Sequence, residues 1–179
     1  MSAPDVISFW FEEIEPSQRY KKDPEFDELI KSRFGELHTR AIQGLLYAWR
    51  DHPLDSLAEI IILDQFSRNI FRDSAKAFDC DTLALVLAQE AIRKKFDVEL
   101  DHPKKAFLYM PFMHSESVEI HEIAMYLFDH PGLEDSYNYE LRHKAIIDRF
   151  GRYPHRNEIL NRKSTKEELE FLSQPGSSF

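Results

Sequence analysis

The sequence predicts an all-α fold built as a stack of antiparallel helix hairpins. Apolar residues recur at three- and four-residue spacing along most of the 179 residues, while the alternation typical of strands is nearly absent. The tripeptide Asp-His-Pro occurs at 51–53, 101–103 and 129–131. Because proline disfavours helical geometry in the preceding residue and aspartate favours turns, these tripeptides indicate breaks between helices rather than metal sites. We expect about eight to nine helices in one domain spanning residues 1–179.

Apolar stripes place the helices of the N-terminal half. A short amphipathic helix is predicted over residues 5–13, and a second begins at Pro24, a favoured first position for proline. A third covers about residues 54–71, and a fourth begins at Asp81, which we expect to act as its N-cap. The inward stripe of the second helix comprises Phe26, Leu29, Ile30, Phe34, Leu37 and Ala41.

In the C-terminal half, a fifth helix is predicted from Pro103 to about Pro111, and Ser115 is the expected N-cap of a sixth. The sixth helix would bury Ile120, Ile123, Ala124 and Leu127.

A seventh helix is expected over residues 139–150, followed by a short one after Pro154. The sequence Ser164 to Glu167 has the pattern of a capping box and predicts a last helix. Residues 174–179 form a C-terminal tail that composition alone indicates is loose.

Composition and charge exclude several classes of function. The net charge of −9, from 32 acidic and 23 basic residues, disfavours nucleic acids and anionic membranes as partners, since both require a basic face. A single cysteine, Cys80, excludes an internal disulfide and indicates a reducing compartment. No basic signal segment precedes the first helix, and no apolar run approaches the roughly 20 residues of a membrane helix. We therefore expect a cytoplasmic protein, and its oligomeric state is left open.

The third helix changes character along one face. Its first half is apolar on nearly every side, as expected for a helix inside a bundle, whereas its second half carries charge. Buried polar groups must be paired or must line a cleft. Asp64 and Arg68 could therefore form an internal ion pair that holds the helices in register, or could belong to a site. The stacked side chains are Leu57, Ile61, Asp64, Arg68 and Arg72, with Gln65 at the edge.

Two further segments place polar groups next to apolar ones. His114, Ser115 and Glu116 follow the aromatic fifth helix, and His143 lies on an otherwise apolar face of the seventh.

Residues 142–163 hold seven Lys or Arg against two acids, whereas residues 115–140 hold seven acids and no Lys or Arg. The basic segment would either dock on the acidic one or hold an anionic ligand with its arginines.

Four long motifs stand out in the chain: ILDQFSRNIFR at 62–72, AFDCD at 77–81, FLYMPFMHSES at 107–117 and the stretch at 143–172 that contains RFGRYPHRN. Together they resemble DUF924, a bacterial family of unknown function. The resemblance implies a tetratricopeptide-repeat-like superhelix, although no period of about 34 residues is visible. The ending PGSSF is similar to the family's usual end, which indicates a docked tail. The chain departs from the family pattern at Asn161 and at Ile120-His121, which weakens any role for His121.

The recurrent blocks of the family coincide largely with the polar positions found above. They indicate one cleft lined by the third helix, the 114–116 turn and the 149–157 turn. The candidate ligand-binding residues are Asp64, Gln65, Arg68, Asn69, Arg72, His114, Glu116, His143, Arg149, Arg152, His155, Arg156 and Asn157.

Three functions are compatible with this cleft. The first is a binding module for a peptide end or a small anionic ligand, anchored by Arg68, Arg152 and Arg156. The second is an enzyme that uses His114 or His143 as acid or base, oriented by Asp64 or Glu116. The third is a buried structural network, with partners binding on the outer surface.

No metal or cofactor is expected. The sequence contains no phosphate-binding loop and no dinucleotide-binding glycine motif, and HEIAM at His121 lacks the second histidine of a zinc site.

Overall fold

The computed structural model describes residues 1–178, and all regular secondary structure in that range is helical. This confirms the predicted all-α class. A π-helical turn, Ile62–Phe66, joins α3 to α4, so that the two form one continuous rod. The α-helices are α1 Ala3–Ser8, α2 Pro24–Ile42, α3 Pro53–Ile61, α4 Ser67–Ile70, α5 Asp81–Arg93, α6 His102–Met113, α7 Val118–Phe128, α8 Glu134–Phe150 and α9 Lys166–Leu172.

Aromatic side chains form the centre of the main core. Phe66, on the π-helical turn, lies with its ring centroid 5.6 Å from Trp10 and 4.9 Å from Phe34. Helices α5 to α8 follow in sequence, each packed against the next. A smaller apolar cluster of Ile146, Ile147 and Tyr153 lies under the C-terminal segment. None of the helices within residues 1–178 combines the length and the apolar composition needed to cross a bilayer.

Two predicted N-caps are wrong by one or two residues. Thr165, not Ser164, caps α9, and Glu168 completes its capping box. The hydroxyl of Ser164 instead accepts a 3.1 Å hydrogen bond from the side-chain amide of Asn157. The N-cap position of α7 is held by Ser117 rather than Ser115, and the Ser117 side chain makes no capping hydrogen bond.

Asp81 is also wrong as an N-cap, since it is the first residue of α5 and Cys80 precedes it in the cap position. Its carboxylate accepts hydrogen bonds from the guanidinium of Arg68 instead. A charged tertiary partner has thus replaced a local capping interaction.

Some boundaries and inward positions also differ from the prediction. Helix α6 continues through Pro111 to Met113, and α8 begins at Glu134 rather than at residue 139. Leu29 is 46% exposed and Ile123 is 45% exposed, so neither is a core residue. On α7 the polar residue His121 is fully buried, with the buried Glu140 as its partner. Hydrophobic periodicity does not predict a buried polar residue at this position.

The C-terminal tail is described as far as Ser178. Ser177 is buried, and its hydroxyl donates a 3.2 Å hydrogen bond to the carbonyl of Leu172, at the end of α9. The part of the predicted tail at Phe179 lies outside the described residues.

Candidate functional site

The π-helical turn carries a fully buried carboxylate. Asp64 is 1% exposed, and both of its carboxylate oxygens are hydrogen-bonded. Oδ2 accepts from the side-chain amide of Gln65 at 2.6 Å, and Oδ1 lies 2.7 Å from Nδ1 of His114. Arg68 approaches Oδ1 at 3.4 Å, so the predicted ion pair along the helix is present. Burial would raise the pKa of the Asp64 carboxyl, but Arg68 and His114 outweigh it and hold that pKa well below its usual range.

His114 follows the last residue of α6, and this position directs its ring onto Asp64. Burial and the nearby Arg68 lower the pKa of His114, so that the imidazole is neutral at pH 7. With Asp64 ionised, Nδ1 carries the hydrogen and donates it to the carboxylate. The hydrogen bonds within residues 1–178 leave Nε2 without a partner, and 16% of the side-chain surface is exposed. The ring therefore presents a lone pair on a partly open surface.

Two arginines and a second aspartate complete the polar centre. Arg68 donates two hydrogen bonds to the carboxylate of Asp81, at 2.9 and 3.1 Å. Arg156 donates to the same carboxylate at 3.2 Å and to the carbonyl of His114 at 3.1 Å. Its guanidinium also lies 4.5 Å from the ring centroid of Phe78. Two guanidiniums and two carboxylates give this centre no net charge.

The carboxylate of Glu116 is bound by residues from the C-terminal part of the chain. Arg162 donates to its two carboxylate oxygens at 2.6 and 2.9 Å, and the backbone N–H of Tyr153 donates at 2.6 Å. Burial would raise the pKa of Glu116, but Arg162 and the Tyr153 amide lower it overall. Arg162 also lines a groove of about 390 Å³, large enough for a small organic molecule. The other lining residues are Pro154, His155, Glu158, Ser164, Leu169 and Leu172.

Several predicted site residues are directed to other partners. Asn69 and Arg72 both donate to Asp27 on α2. On the C-terminal side, Arg149 pairs with Glu167 and Arg152 pairs with Glu168. These arginines hold elements of the fold together and lie in ion pairs separate from the His114 centre.

The remaining predicted residues lie around Tyr153. The rings of His143 and His155 have their centroids 5.8 and 5.5 Å from that of Tyr153, and Nδ1 of His143 donates to the carbonyl of Tyr139. Burial lowers the pKa of His143 to about 3 and that of His155 to about 4. Asn157 accepts from Arg162 at 2.9 Å.

Of the thirteen predicted site residues, the structure brings Asp64, Gln65, Arg68, His114 and Arg156 together. Sequence reasoning missed the shared carboxylate and the groups that support the centre. The missed residues are Asp81, His121, Glu140, Tyr153 and Arg162.

By sequence, Asp81 is expected to act as a helix cap, and His121 is a departure from the family pattern. The adjacent opposite charges of residues 115–140 and 142–163 were the one signal for the Glu116–Arg162 pair.

Comparison with known proteins agrees with this architecture. The family model of DUF924, bacterial proteins of unknown function, matches residues 6–176. A solved structure of a protein of unknown function from Agrobacterium tumefaciens is similar, with a TM-score of 0.91 at 36% identity over 96% of each chain. No curated protein matches the chain. The similarities support family and fold, and none of them names a reaction.

Proposed function

The chain belongs to the DUF924 family of bacterial proteins of unknown function, and we propose that it binds a small molecule with which His114 exchanges a proton. The observation that carries the proposal is the 2.7 Å contact between Nδ1 of His114 and Asp64, with Nε2 left available. A carboxylate that orients a neutral imidazole in this way prepares the opposite nitrogen to act as a general base.

The surroundings of His114 suit proton transfer. The ionised Asp64 would stabilise the imidazolium that forms when Nε2 takes a proton. Arg68 and Arg156 both bind the Asp81 carboxylate, and Arg156 also holds the carbonyl of His114, so they would fix the position of the base. His114 is thus the proposed base, Asp64 its orienting group, and the two arginines the residues that hold them in place.

An arginine cradle for a preformed anion is less well supported. Each arginine first predicted as an anchor has a carboxylate partner: Asp81 for Arg68 and Arg156, and Glu168 for Arg152. An anion would have to compete with those carboxylates for the same donors. We therefore infer a ligand that is neutral or weakly acidic and carries a proton within reach of His114.

The alternative is a structural network, and one specific observation favours it. The arginines predicted as ligand anchors hold helices or loops together, which is what a network that fixes helix register requires. Under this alternative, His114 is only the last donor of a buried chain of hydrogen bonds.

A ligand screen on matched variants tests the proposal. Wild type, His114→Gln and His52→Gln would be screened by thermal shift against small metabolites that carry weakly acidic protons. His52 is exposed and makes the matched control. We expect a ligand that raises the melting temperature of wild type and His52→Gln but not of His114→Gln. A ligand response that persists in His114→Gln, or no response in wild type, would exclude this role for His114.

A further inference from the structure

A second histidine–carboxylate pair lies entirely inside the protein. His121 on α7 and Glu140 on α8 are both 0% exposed, and Nδ1 lies 2.6 Å from Oε1. The other ring nitrogen, Nε2, lies 2.8 Å from the backbone carbonyl of Ser115. The pair thus links two helices to the turn that carries His114.

The hydrogen-bond partners determine how many protons this pair holds. A carbonyl oxygen only accepts, so Nε2 of His121 must carry the hydrogen that it donates to Ser115. The hydroxyl of Tyr153 also lies near Nε2 of His121, but it donates its hydrogen to the carbonyl of Met113 at 2.5 Å. It therefore does not change the assignment of the hydrogen on Nε2. At 2.6 Å, Nδ1 and Oε1 would repel each other if both presented lone pairs. One further proton therefore lies between His121 and Glu140.

The environment favours placing that proton on Glu140. Its second oxygen, Oε2, is buried without a hydrogen-bond partner in the described part of the chain. A carboxylate with an unpaired buried oxygen is costly, whereas a neutral acid loses much less on burial. Burial accordingly raises the pKa of Glu140.

The charged groups near this pair are occupied elsewhere. On α8, Lys144 bonds to Asp148 and also reaches Glu122 on α7. His143 is kept neutral by burial, and Glu116 is neutralised by Arg162. None of these groups supplies a hydrogen bond to Oε2.

We propose that Glu140 is a neutral carboxylic acid in the folded protein at neutral pH and donates its proton to Nδ1 of His121. His121 in turn holds the carbonyl of Ser115, between His114 and Glu116, so the two are positioning residues for the 114–116 turn. The positioning role rests on the proposed function of His114, whereas the protonation of Glu140 does not.

Infrared spectroscopy tests the protonation directly. The difference spectrum between wild type and Glu140→Gln at pH 7.5, which lies about one unit above the ordinary His pKa of 6.5, should contain the C=O stretch of a protonated carboxylic acid. Glu122→Gln, an exposed change on α7, is the control and should remove carboxylate bands only. Loss of carboxylate bands alone in Glu140→Gln would overturn the proposal and establish an ion pair.

The pH dependence of stability gives a second measurement. The folded pair keeps a proton that the unfolded chain releases above the ordinary pKa of histidine, about 6.5. The equilibrium constant for unfolding should therefore rise by up to about tenfold per pH unit above that value because of this pair. Glu140→Gln, whose amide can donate to Nδ1 in place of the acid, should remain folded and lack this contribution. An unchanged pH dependence in that variant would contradict the proposal.

The positioning role is tested on His114 itself. Its titration, followed by nuclear magnetic resonance, should shift in Glu140→Ala and return to the wild-type value in Glu140→Gln. Identical titrations in both variants would overturn the positioning role while leaving the infrared result intact. Failure of the proposed function would appear separately, as the absence of a ligand response in wild type.

Discussion

Acid should destabilise the protein through its buried neutral histidines, and His143 offers the sharpest test. Burial lowers the pKa of His143 to about 3, against an ordinary value of about 6.5 in the unfolded chain. As the pH falls below 6.5, the unfolded chain binds a proton at this residue and the folded chain does not. The free energy of unfolding must therefore fall with pH over that interval.

The magnitude follows from the pKa difference. Each bound proton changes the free energy of unfolding by about 1.4 kcal/mol per pH unit, so acidification from pH 6.5 to pH 5 costs about 2 kcal/mol at His143. His155, with a pKa lowered to about 4, should add a similar amount. His143→Gln keeps a neutral polar side chain that can still donate to the carbonyl of Tyr139, and it removes the titration.

Urea denaturation at pH 7 and pH 5 measures the effect. The loss of unfolding free energy between the two pH values should be about 2 kcal/mol smaller in His143→Gln than in wild type. His52→Gln, at an exposed position, should show the wild-type loss. An equal loss in wild type and His143→Gln would refute the reasoning, because the buried imidazole would then be accepting a proton as readily as the unfolded one.

Three substitutions test other contacts, each through the free energy of unfolding from chemical denaturation. Arg162→Ala should cost about 2 kcal/mol because it leaves the half-buried Glu116 without its bidentate partner, and a loss below about 0.5 kcal/mol would contradict this. Thr165→Ala should cost about 1 kcal/mol through loss of the α9 cap, and no loss would mean that another residue caps the helix. Gly132→Ala should cost roughly 1–3 kcal/mol, since φ is +90° and the added methyl would overlap the His102 ring; neutrality would show that the turn relaxes.

Sequence periodicity was sufficient for the fold class and for the positions of most helices. It failed where a tertiary partner competed with a local one. Ser164 and Thr165 are both good caps by residue type; in the structure Thr165 caps α9, while Ser164 accepts a hydrogen bond from Asn157. Asp81 has the pattern of a cap because nothing near it in sequence reveals Arg68 as its partner. Local chemistry defines the candidates, and long-range contacts select among them.

The same limit applies to the candidate site. Asp64, Arg68 and His114 were identifiable because each places a polar group in an apolar setting. Their carboxylate and histidine neighbours were not, because Glu140 lies 19 residues beyond His121 and both stand on amphipathic helices. A charged residue on such a helix is exposed more often than buried, so sequence alone favours the wrong environment for Glu140.

The arginines of residues 142–163 are the reason we propose proton transfer at this site rather than anion capture. Its arginines are used to bind carboxylates of the same chain: Arg152 binds Glu168, Arg162 binds Glu116 and Arg156 binds Asp81. This leaves the polar centre electrically balanced, with little field to attract an anion. In such a centre the neutral imidazole of His114 is the group with an unused ring nitrogen on a partly open side chain. Under the proposed function, a ligand that binds there would donate a hydrogen bond to this nitrogen, which is why the ligand screen should be built around weak acids.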